Sequence, residues 1–187
     1  MPHIAIISAS VRLGRVSHRV ARYFEQYITA HQLGTSEILD LQEYNFPIFE
    51  ERLHMQANPA PKTLEFAEKI KHADGVIIVT PEYNGGYPAS LKNVVDLLYP
   101  EWRRKPIAIS SVSDGVFGGT QMIISLQFSL WKIRAWTVPA MFPVPKAQDS
   151  FAENGQATHP EETDKRAAGF LDELLWCVAA KQGMEKK

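Results

Sequence analysis

The chain has 187 residues, of which 45% are hydrophobic and 22% charged, values typical of a globular protein rather than a disordered or fibrous one. This length predicts a single domain spanning residues 1–187. The 20 basic and 21 acidic side chains give a formal net charge of −1. Overall charge therefore does not favour binding to nucleic acid or to an anionic membrane, and neither is expected as a partner.

Cysteine and histidine usage argues against metal and disulfide chemistry. Cys177 is the only cysteine, which excludes an intramolecular disulfide and a cysteine-rich zinc site. The six histidines lack ligand spacing, so no metal site is predicted. The first residues do not resemble a signal peptide, and no apolar run approaches the ~20 residues that span a bilayer. A cytoplasmic location is expected by elimination.

In chain order, predicted strands alternate with predicted helices. Strands with continuous apolar character are predicted at residues 4–7, 76–79 and 107–112, and weaker ones at 37–41 and 136–138. Apolar stripes at helical spacing predict helices between them and after the last strand, through Val20 to Ile28, Leu64 to Ile70, Leu91 to Leu98, residues 119–132 and residues 160–181. This alternation predicts a doubly wound parallel sheet with helices on both faces.

In such a sheet, ligands bind outside the carboxyl ends of the strands, so the segments that leave the strongest strands are the candidate site. Residues 8–19 supply hydroxyls, arginines and a helix start, which together suit a phosphate. Residues 80–93 interrupt regular structure and leave backbone amides free. Residues 113–119 contain three glycines that permit close backbone approach. Taken alone, each is also compatible with an ordinary turn, with Ser17 as a helix N-cap in the first.

No alternative nucleotide motif or hydrolase motif accounts for these segments. The chain has no Walker loop, no Gly-x-Gly-x-x-Gly fingerprint and no Gly-x-Ser-x-Gly elbow. The four tryptophans are expected in the core or at a subunit interface, although Trp102 with Arg103 and Arg104 is alternatively interpreted as an exposed patch.

Three motifs together resemble the NADPH-dependent FMN reductase family over residues 4–140. They are Ser10-Val11-Arg12, Pro81-Glu82-Tyr83-Asn84 followed by Ser90-Leu91-Lys92-Asn93, and Ser113-x-Gly115-x-x-Gly118-Gly119. The resemblance implies a flavodoxin-like α/β/α sandwich around a five-stranded parallel sheet. Ala9 departs from the family, in which glycine usually precedes the first-loop serine. The longer first loop leaves open whether Arg15 or Ser17 reaches the phosphate.

The resemblance also implies a set of FMN-binding residues in the three segments. In the first segment, the residues that would hold the FMN phosphate are Ser10, Arg12, Val16, Ser17 and His18. In the second, the residues that would border the flavin ring are Pro81, Glu82, Tyr83, Asn84 and Gly85. In the third, the other side of the ring would be closed by Ser113 and Gly115. No side chain is assigned a catalytic role, because the redox chemistry belongs to the flavin.

The activity implied by the resemblance is NAD(P)H-dependent reduction of a small electron acceptor. NADPH or NADH would pass hydride to FMN, which would then reduce quinones, free flavin, azo compounds or metal ions in a ping-pong cycle. Family members are usually homodimers or homotetramers, with Glu82 and Tyr83 near the partner. The alternatives are a flavodoxin-type electron carrier, which the near-zero net charge disfavours, and a flavin-binding regulatory subunit without turnover.

Overall fold

A computed structural model describes residues 1–185 and contains one five-stranded parallel sheet. Its strands are β1 His3–Ser8, β2 Thr35–Asp40, β3 Gly75–Pro81, β4 Pro106–Val112 and β5 Trp136–Val144. The spatial order β2-β1-β3-β4-β5 reverses direction at β1, so the sheet has a switch point between β1 and β3. The predicted flavodoxin-like α/β/α fold is confirmed.

The described residues form seven α-helices, five between the strands and two after β5. They are α1 Ser17–Ala30, α2 Leu41–Tyr44, α3 Pro61–His72, α4 Ala89–Leu97, α5 Gln121–Lys132, α6 Ala147–Ser150 and α7 Pro160–Glu185, with 3-10 turns at Leu53–Met55 and Pro100–Trp102. One hydrophobic cluster lies between the sheet and helices α1 and α7, and a second between the opposite face and α3, α4 and α5. Both faces of the central strands are therefore buried, which explains their continuous apolar sequences.

Two predicted details of these elements are wrong. Leu64 is exposed, because the inward face of α3 is formed by Thr63, Phe66, Ala67 and Ile70. Strand β5 continues to Val144, well beyond the predicted residues 136–138. It contains prolines at positions 139 and 143, which in a sequence usually indicate the end of a strand, and its pairing with β4 has a register shift.

The tryptophans divide between core and surface. Trp102 is completely buried in the second cluster, so its interpretation as an exposed patch with Arg103 and Arg104 is wrong, although both arginines are exposed. Trp131 on α5 and Trp176 on α7 are each 66% exposed. Cys177 is a buried free cysteine. Among residues 1–185, no helix has the length and apolar character needed to span a membrane.

Candidate active site

The three predicted segments meet at the carboxyl edge of the sheet, around a pocket of about 150 Å³. Eight of the twelve predicted site residues line it: Ser10, Arg12, Val16, Ser17, Pro81, Glu82, Tyr83 and Ser113. The other four, His18, Asn84, Gly85 and Gly115, lie outside its lining. The pocket therefore joins the loop after β1 to the loops after β3 and β4, as the parallel topology requires.

The start of α1 presents polar groups to this pocket. Ser17 is only 2% exposed, and its hydroxyl has no hydrogen-bond partner within residues 1–185. The helix N-cap is Val16, which makes no side-chain cap bond, so the alternative of Ser17 as an N-cap is not observed. The first N–H groups of a helix also lack intrahelical acceptors. A buried hydroxyl beside free amides fits an anion such as the phosphate of FMN.

The two arginines of the first loop differ in their surroundings. Arg12 is exposed and lines the pocket. Arg15 also lines the pocket, but its guanidinium donates to both carboxylate oxygens of Asp40 and, at 2.8 Å, to the carbonyl oxygen of Ser10. Arg12 is therefore the arginine whose charge is available to a phosphate.

His18 lies behind the first loop instead of facing the pocket. Its Nδ1 is 3.1 Å from the hydroxyl oxygen of Ser8 and 3.6 Å from a carboxylate oxygen of Asp40. Burial and the nearby positive charge of Arg15 lower the pKa of His18 more than Asp40 raises it. The imidazole is therefore neutral at pH 7, and only the backbone amide of His18 suits a phosphate.

The loop after β3 is a tight hairpin and not an open string of free amides. The Tyr83 N–H donates to the Gly86 carbonyl at 2.8 Å, and the Gly86 N–H donates back at 3.1 Å. Asn84 and Gly85 occupy the turn with φ of 53° and 79°, the left-handed geometry that the sequence Asn-Gly favours. Within residues 82–86, only the amides of Asn84 and Gly85 lack a partner among the described residues, so this hairpin has fewer free amides than expected.

Glu82 and Tyr83 connect this hairpin to its neighbours. A carboxylate oxygen of Glu82 accepts hydrogen bonds from the amides of Gln121 and Met122 at 3.0 and 3.3 Å, which caps the positive end of α5. The hydroxyls of Tyr83 and Ser10 are 2.8 Å apart and share a hydrogen bond. The hairpin is thus attached to the first loop on one side and to α5 on the other.

The Ser90-Leu91-Lys92-Asn93 motif fastens two loops to α4. Ser90 donates to the carbonyl of Ala9 at 2.6 Å, next to the first loop. The Asn93 amide donates to the Pro47 carbonyl and accepts from the Phe49 N–H, both at 2.7 Å. The side chains of this motif therefore fix the backbone of loops around the site, and they do not line the pocket.

In the third segment, glycine is required at residues 118 and 119, which have φ of 63° and 73°. A Cβ on Gly119 would lie 3.2 Å from Cβ of Glu82, so this glycine allows the third loop to approach the hairpin. Gly115 has no positive φ, and its carbonyl accepts a hydrogen bond from the Ser113 hydroxyl at 3.3 Å.

The pocket also includes residues that the sequence analysis did not assign to it. Ala147 and Gln148 come from α6, which follows the unexpectedly long β5, and Val112 ends β4. Gly14 and Asp114 also line the pocket, and they belong to the predicted segments 8–19 and 113–119 although no role was assigned to either residue. The residues after Val144 show no strand or helix periodicity in the sequence. A prediction of the full length of β5 would have placed them at the carboxyl edge of the sheet.

Comparison with known proteins identifies relatives across most of the chain. The family model described as NADPH-dependent FMN reductase matches residues 2–149. An NAD(P)H-dependent FMN reductase from Nectria sp is 32% identical over 188 residues, covering 94% of this chain and 92% of its own. A quinone reductase from Escherichia coli strain K12 is 30% identical over 184 residues, covering 95% and 92%.

Solved structures share the fold of this chain. FerB, a flavoenzyme NAD(P)H:(acceptor) oxidoreductase from Paracoccus denitrificans, superposes with a TM-score of 0.76 at 25% identity, over 96% of this chain and 98% of its own. Oxidised flavodoxin 1 from Bacillus cereus shares the fold, with a TM-score of 0.57 at 15% identity over 92% and 97% of the two chains. The predicted enzyme class, with FMN and NAD(P)H as its cofactors, is confirmed at the level of the family: this chain belongs to the NADPH-dependent FMN reductases.

Proposed function

We propose that this chain is an FMN-dependent oxidoreductase that uses NAD(P)H to reduce quinones or other small electron acceptors in a ping-pong cycle. The observation that carries the cofactor assignment is the buried hydroxyl of Ser17 at the start of α1, which has no hydrogen-bond partner among residues 1–185. Support for the acceptor comes from the quinone reductase and FMN reductase names of relatives that align over most of the chain. FMN would supply hydride acceptance and electron transfer.

The residues of the chain would bind and orient the cofactor. Arg12, Ser17 and the amides of Val16, Ser17 and His18 would bind the phosphate. The Asn84 and Gly85 amides, free in the described hairpin, would donate to the polar edge of the flavin ring, with Pro81 to Tyr83 along its side. Ser113 and Gly115 would lie on the opposite side. No side chain needs to transfer a proton in this scheme.

The first test is an anaerobic spectroscopic titration of the FMN-loaded protein. Addition of NADPH, and of NADH in parallel, is expected to bleach the flavin band, and 1,4-benzoquinone is expected to restore it. Parallel lines in double-reciprocal plots with varied NADPH and quinone would support the ping-pong cycle. A flavin that binds but is not bleached by either nucleotide would contradict the enzyme and favour the flavodoxin-type carrier.

We also propose that the chain forms a homodimer or homotetramer through the outer face of α5. Ile124, Phe128 and Trp131 lie on this face at helical spacing and are 62–76% exposed. Val116 and Phe117, in the loop that leads from the site to α5, are similarly exposed and extend the apolar surface. A second copy is the occupant that fits, because Glu82 caps this helix and the resemblance places Glu82 and Tyr83 near a partner.

Light scattering after size-exclusion chromatography tests this interface. Phe128→Glu is expected to reduce the particle mass, from a dimer to one chain or from a tetramer to a dimer, because burying the carboxylate in an apolar interface is costly. Trp176→Glu is the matched control, since Trp176 is 66% exposed on α7. A wild-type monomer, or an oligomer unaffected by Phe128→Glu but split by Trp176→Glu, would contradict the assignment to α5.

A further inference from the structure

A buried ion pair lies beneath the first loop, outside the roles proposed above. Asp40 is the last residue of β2, and its side chain is 4% exposed. Arg15 reaches it from the loop, and two of its guanidinium nitrogens each donate a hydrogen bond to one carboxylate oxygen. The nitrogen that bonds Asp40 Oδ1 also donates to the Ser10 carbonyl at 2.8 Å. The pair thus joins the edge strand to both ends of the loop.

The carboxylate of Asp40 is charged in this setting. Burial alone would raise the pKa of Asp40, but the hydrogen bonds from Arg15 and from the Gln42 amide outweigh it and hold the pKa below its ordinary value. The Gln42 bond, 3.0 Å long, makes Asp40 the N-cap of α2. A buried carboxylate without its arginine would be strongly destabilising, so Arg15 is committed to this partner.

The pair also determines the shape of the first loop. The Arg15 N–H donates to the Arg12 carbonyl at 3.3 Å, while its side chain bonds the Ser10 carbonyl. The backbone and the side chain of Arg15 therefore both bond to carbonyl oxygens of the same loop, which holds residues 10–15 in a compact turn. With the loop closed, Arg12 remains exposed at the pocket and the Ser17 hydroxyl remains unpartnered within the described chain.

We propose that Asp40 is a positioning residue for the FMN phosphate: it holds Arg15 in place as a support of the loop and away from the phosphate itself. The pair also neutralises a carboxylate beneath a dianionic group, which would otherwise repel it. This inference rests on the proposed phosphate site at residues 10–18. It assigns phosphate contact to Arg12 and Ser17, and loop support to Arg15.

Asp40→Asn tests the proposal, with FMN and riboflavin as paired ligands of the apoprotein. Riboflavin has the same ring system and ribityl chain but no phosphate, so it reports on folding and on the ring site. Asparagine is also a good N-cap and preserves the bond to Gln42. We expect the FMN dissociation constant to rise at least about tenfold, or about 1.4 kcal/mol. The riboflavin constant is expected to stay within experimental error of wild type.

Glu37→Gln is the control for loss of a paired carboxylate on the same strand. Glu37 lies on β2 and pairs with Lys69 at 3.1 Å, but it lies at the level of Ala5 in β1, away from the first loop. It is expected to leave the affinity for both flavins at the wild-type value. An equal loss of FMN affinity in Glu37→Gln would show a general effect of the edge strand and overturn the proposal.

Arg15→Gln and the double variant Arg15→Gln/Asp40→Asn separate support of the loop from direct binding. The single variant leaves a buried carboxylate under the phosphate, so it should bind FMN more weakly than the double variant. If Arg15 instead contacted the phosphate, Asp40→Asn would preserve or increase FMN affinity, because it would release Arg15 from its carboxylate partner. That pattern would overturn the proposal. A double variant that binds FMN no better than Arg15→Gln would also overturn it, and this second comparison remains if Asp40→Asn alone fails to fold.

Failure of the proposed site has a different signature. If the wild-type protein binds FMN no more tightly than riboflavin, the phosphate site at residues 10–18 is wrong, and the role of Asp40 falls with it. If the wild-type protein prefers FMN, and Ser17→Ala weakens that preference while Asp40→Asn does not, only the positioning role is overturned.

Discussion

At the residue scale, the candidate site depends on which polar groups already have partners. Arg15 and Ser10 are engaged with each other and with Asp40 and Tyr83, while the Ser17 hydroxyl is buried without a partner inside the described chain. Unsatisfied buried polar groups are uncommon in native proteins because each one carries a desolvation cost. The cost at Ser17 is explained if a phosphate supplies the missing hydrogen bond.

Ser17→Ala should therefore separate binding from stability. We expect FMN affinity to fall by about 1.5–3 kcal/mol, the range for a hydrogen bond to a charged group. The unfolding free energy of the apoprotein should be unchanged or higher, because an unpaired hydroxyl is removed. Fluorescence titration and urea denaturation measure the two quantities. Unchanged FMN affinity would remove Ser17 from the phosphate site.

His18 provides a pH-dependent prediction. Its pKa is lowered in the folded protein, mainly by burial and then by Arg15, so the unfolded chain takes up a proton at higher pH than the folded one does. The unfolding free energy should therefore fall as pH drops from 7 through the ordinary value of 6.5 towards the lowered pKa. His18→Gln should flatten the stability profile in this window.

The measurement for His18 is urea denaturation of the apoprotein at pH 7 and pH 5. Arg22, Glu43 and Asp40 also influence this imidazole and are unchanged in the variant. His159→Gln, in an exposed position before α7, serves as the control and should keep the wild-type slope. If His18→Gln and wild type lose the same stability between the two pH values, His18 is not the responsible group.

At the element scale, the loops of the site are held by the ends of helices. Glu82 joins the β3 hairpin to α5, Ser90 joins α4 to the end of β1, and Asn93 joins α4 to the loop after α2. In this chain, the polar residues of these motifs therefore hold neighbouring loops in place. The side chains of the motif bond to the backbone of loops that are distant in sequence. Short-range sequence patterns do not predict such contacts.

Substitution of Glu82 tests the connection to α5. Glu82→Ala removes the cap of Gln121 and Met122, and the unfolding free energy should fall by about 0.5–2 kcal/mol, the range for a lost N-cap. Glu82→Gln keeps an acceptor but loses the charge, and it should cost only about 0.3–1 kcal/mol. Urea denaturation provides the values, with Glu161→Ala, exposed at the start of α7, as the control. Equal stability of all three variants would exclude capping by Glu82.

At the scale of the whole molecule, a distant segment closes over α1. Arg19 donates to the Phe151 carbonyl at 2.9 Å, and Gln26 donates to the Asn154 carbonyl at 2.7 Å, so residues 151–154 lie along the outer side of this helix. Gly155 has a φ of 92° and packs directly on the helix backbone. These contacts hold the helix that begins at the proposed phosphate site.

Gly155→Ala should be destabilising for two reasons. The added Cβ would lie 2.8 Å from Cβ of Arg22 and 2.9 Å from the Tyr23 nitrogen, and alanine is strained at this φ. We expect a loss of about 1–3 kcal/mol of unfolding free energy. Gly169→Ala in α7, where nothing lies within 4 Å, should instead stabilise by up to about 1 kcal/mol. If thermal or urea denaturation showed that both variants change the unfolding free energy in the same direction, this packing would be contradicted.

The sequence alone determined the alternation of strands and helices, because continuous apolar runs and helical stripes are local patterns that the chain carries without knowledge of its neighbours. It also identified the three loops of the site, since parallel topology brings the carboxyl ends of strands to one edge. The FMN-binding roles of the twelve predicted residues stay predictions, as does the single domain spanning residues 1–187.

Only the tertiary structure decided which groups are free at that edge. The Arg15–Asp40 pair joins residues 25 positions apart, and the Ser10–Tyr83 bond joins residues 73 apart. Gln148 entered the pocket because β5 continued past two prolines that mark a strand end in the local pattern. Such contacts depend on strand order and register, so local propensity does not encode them.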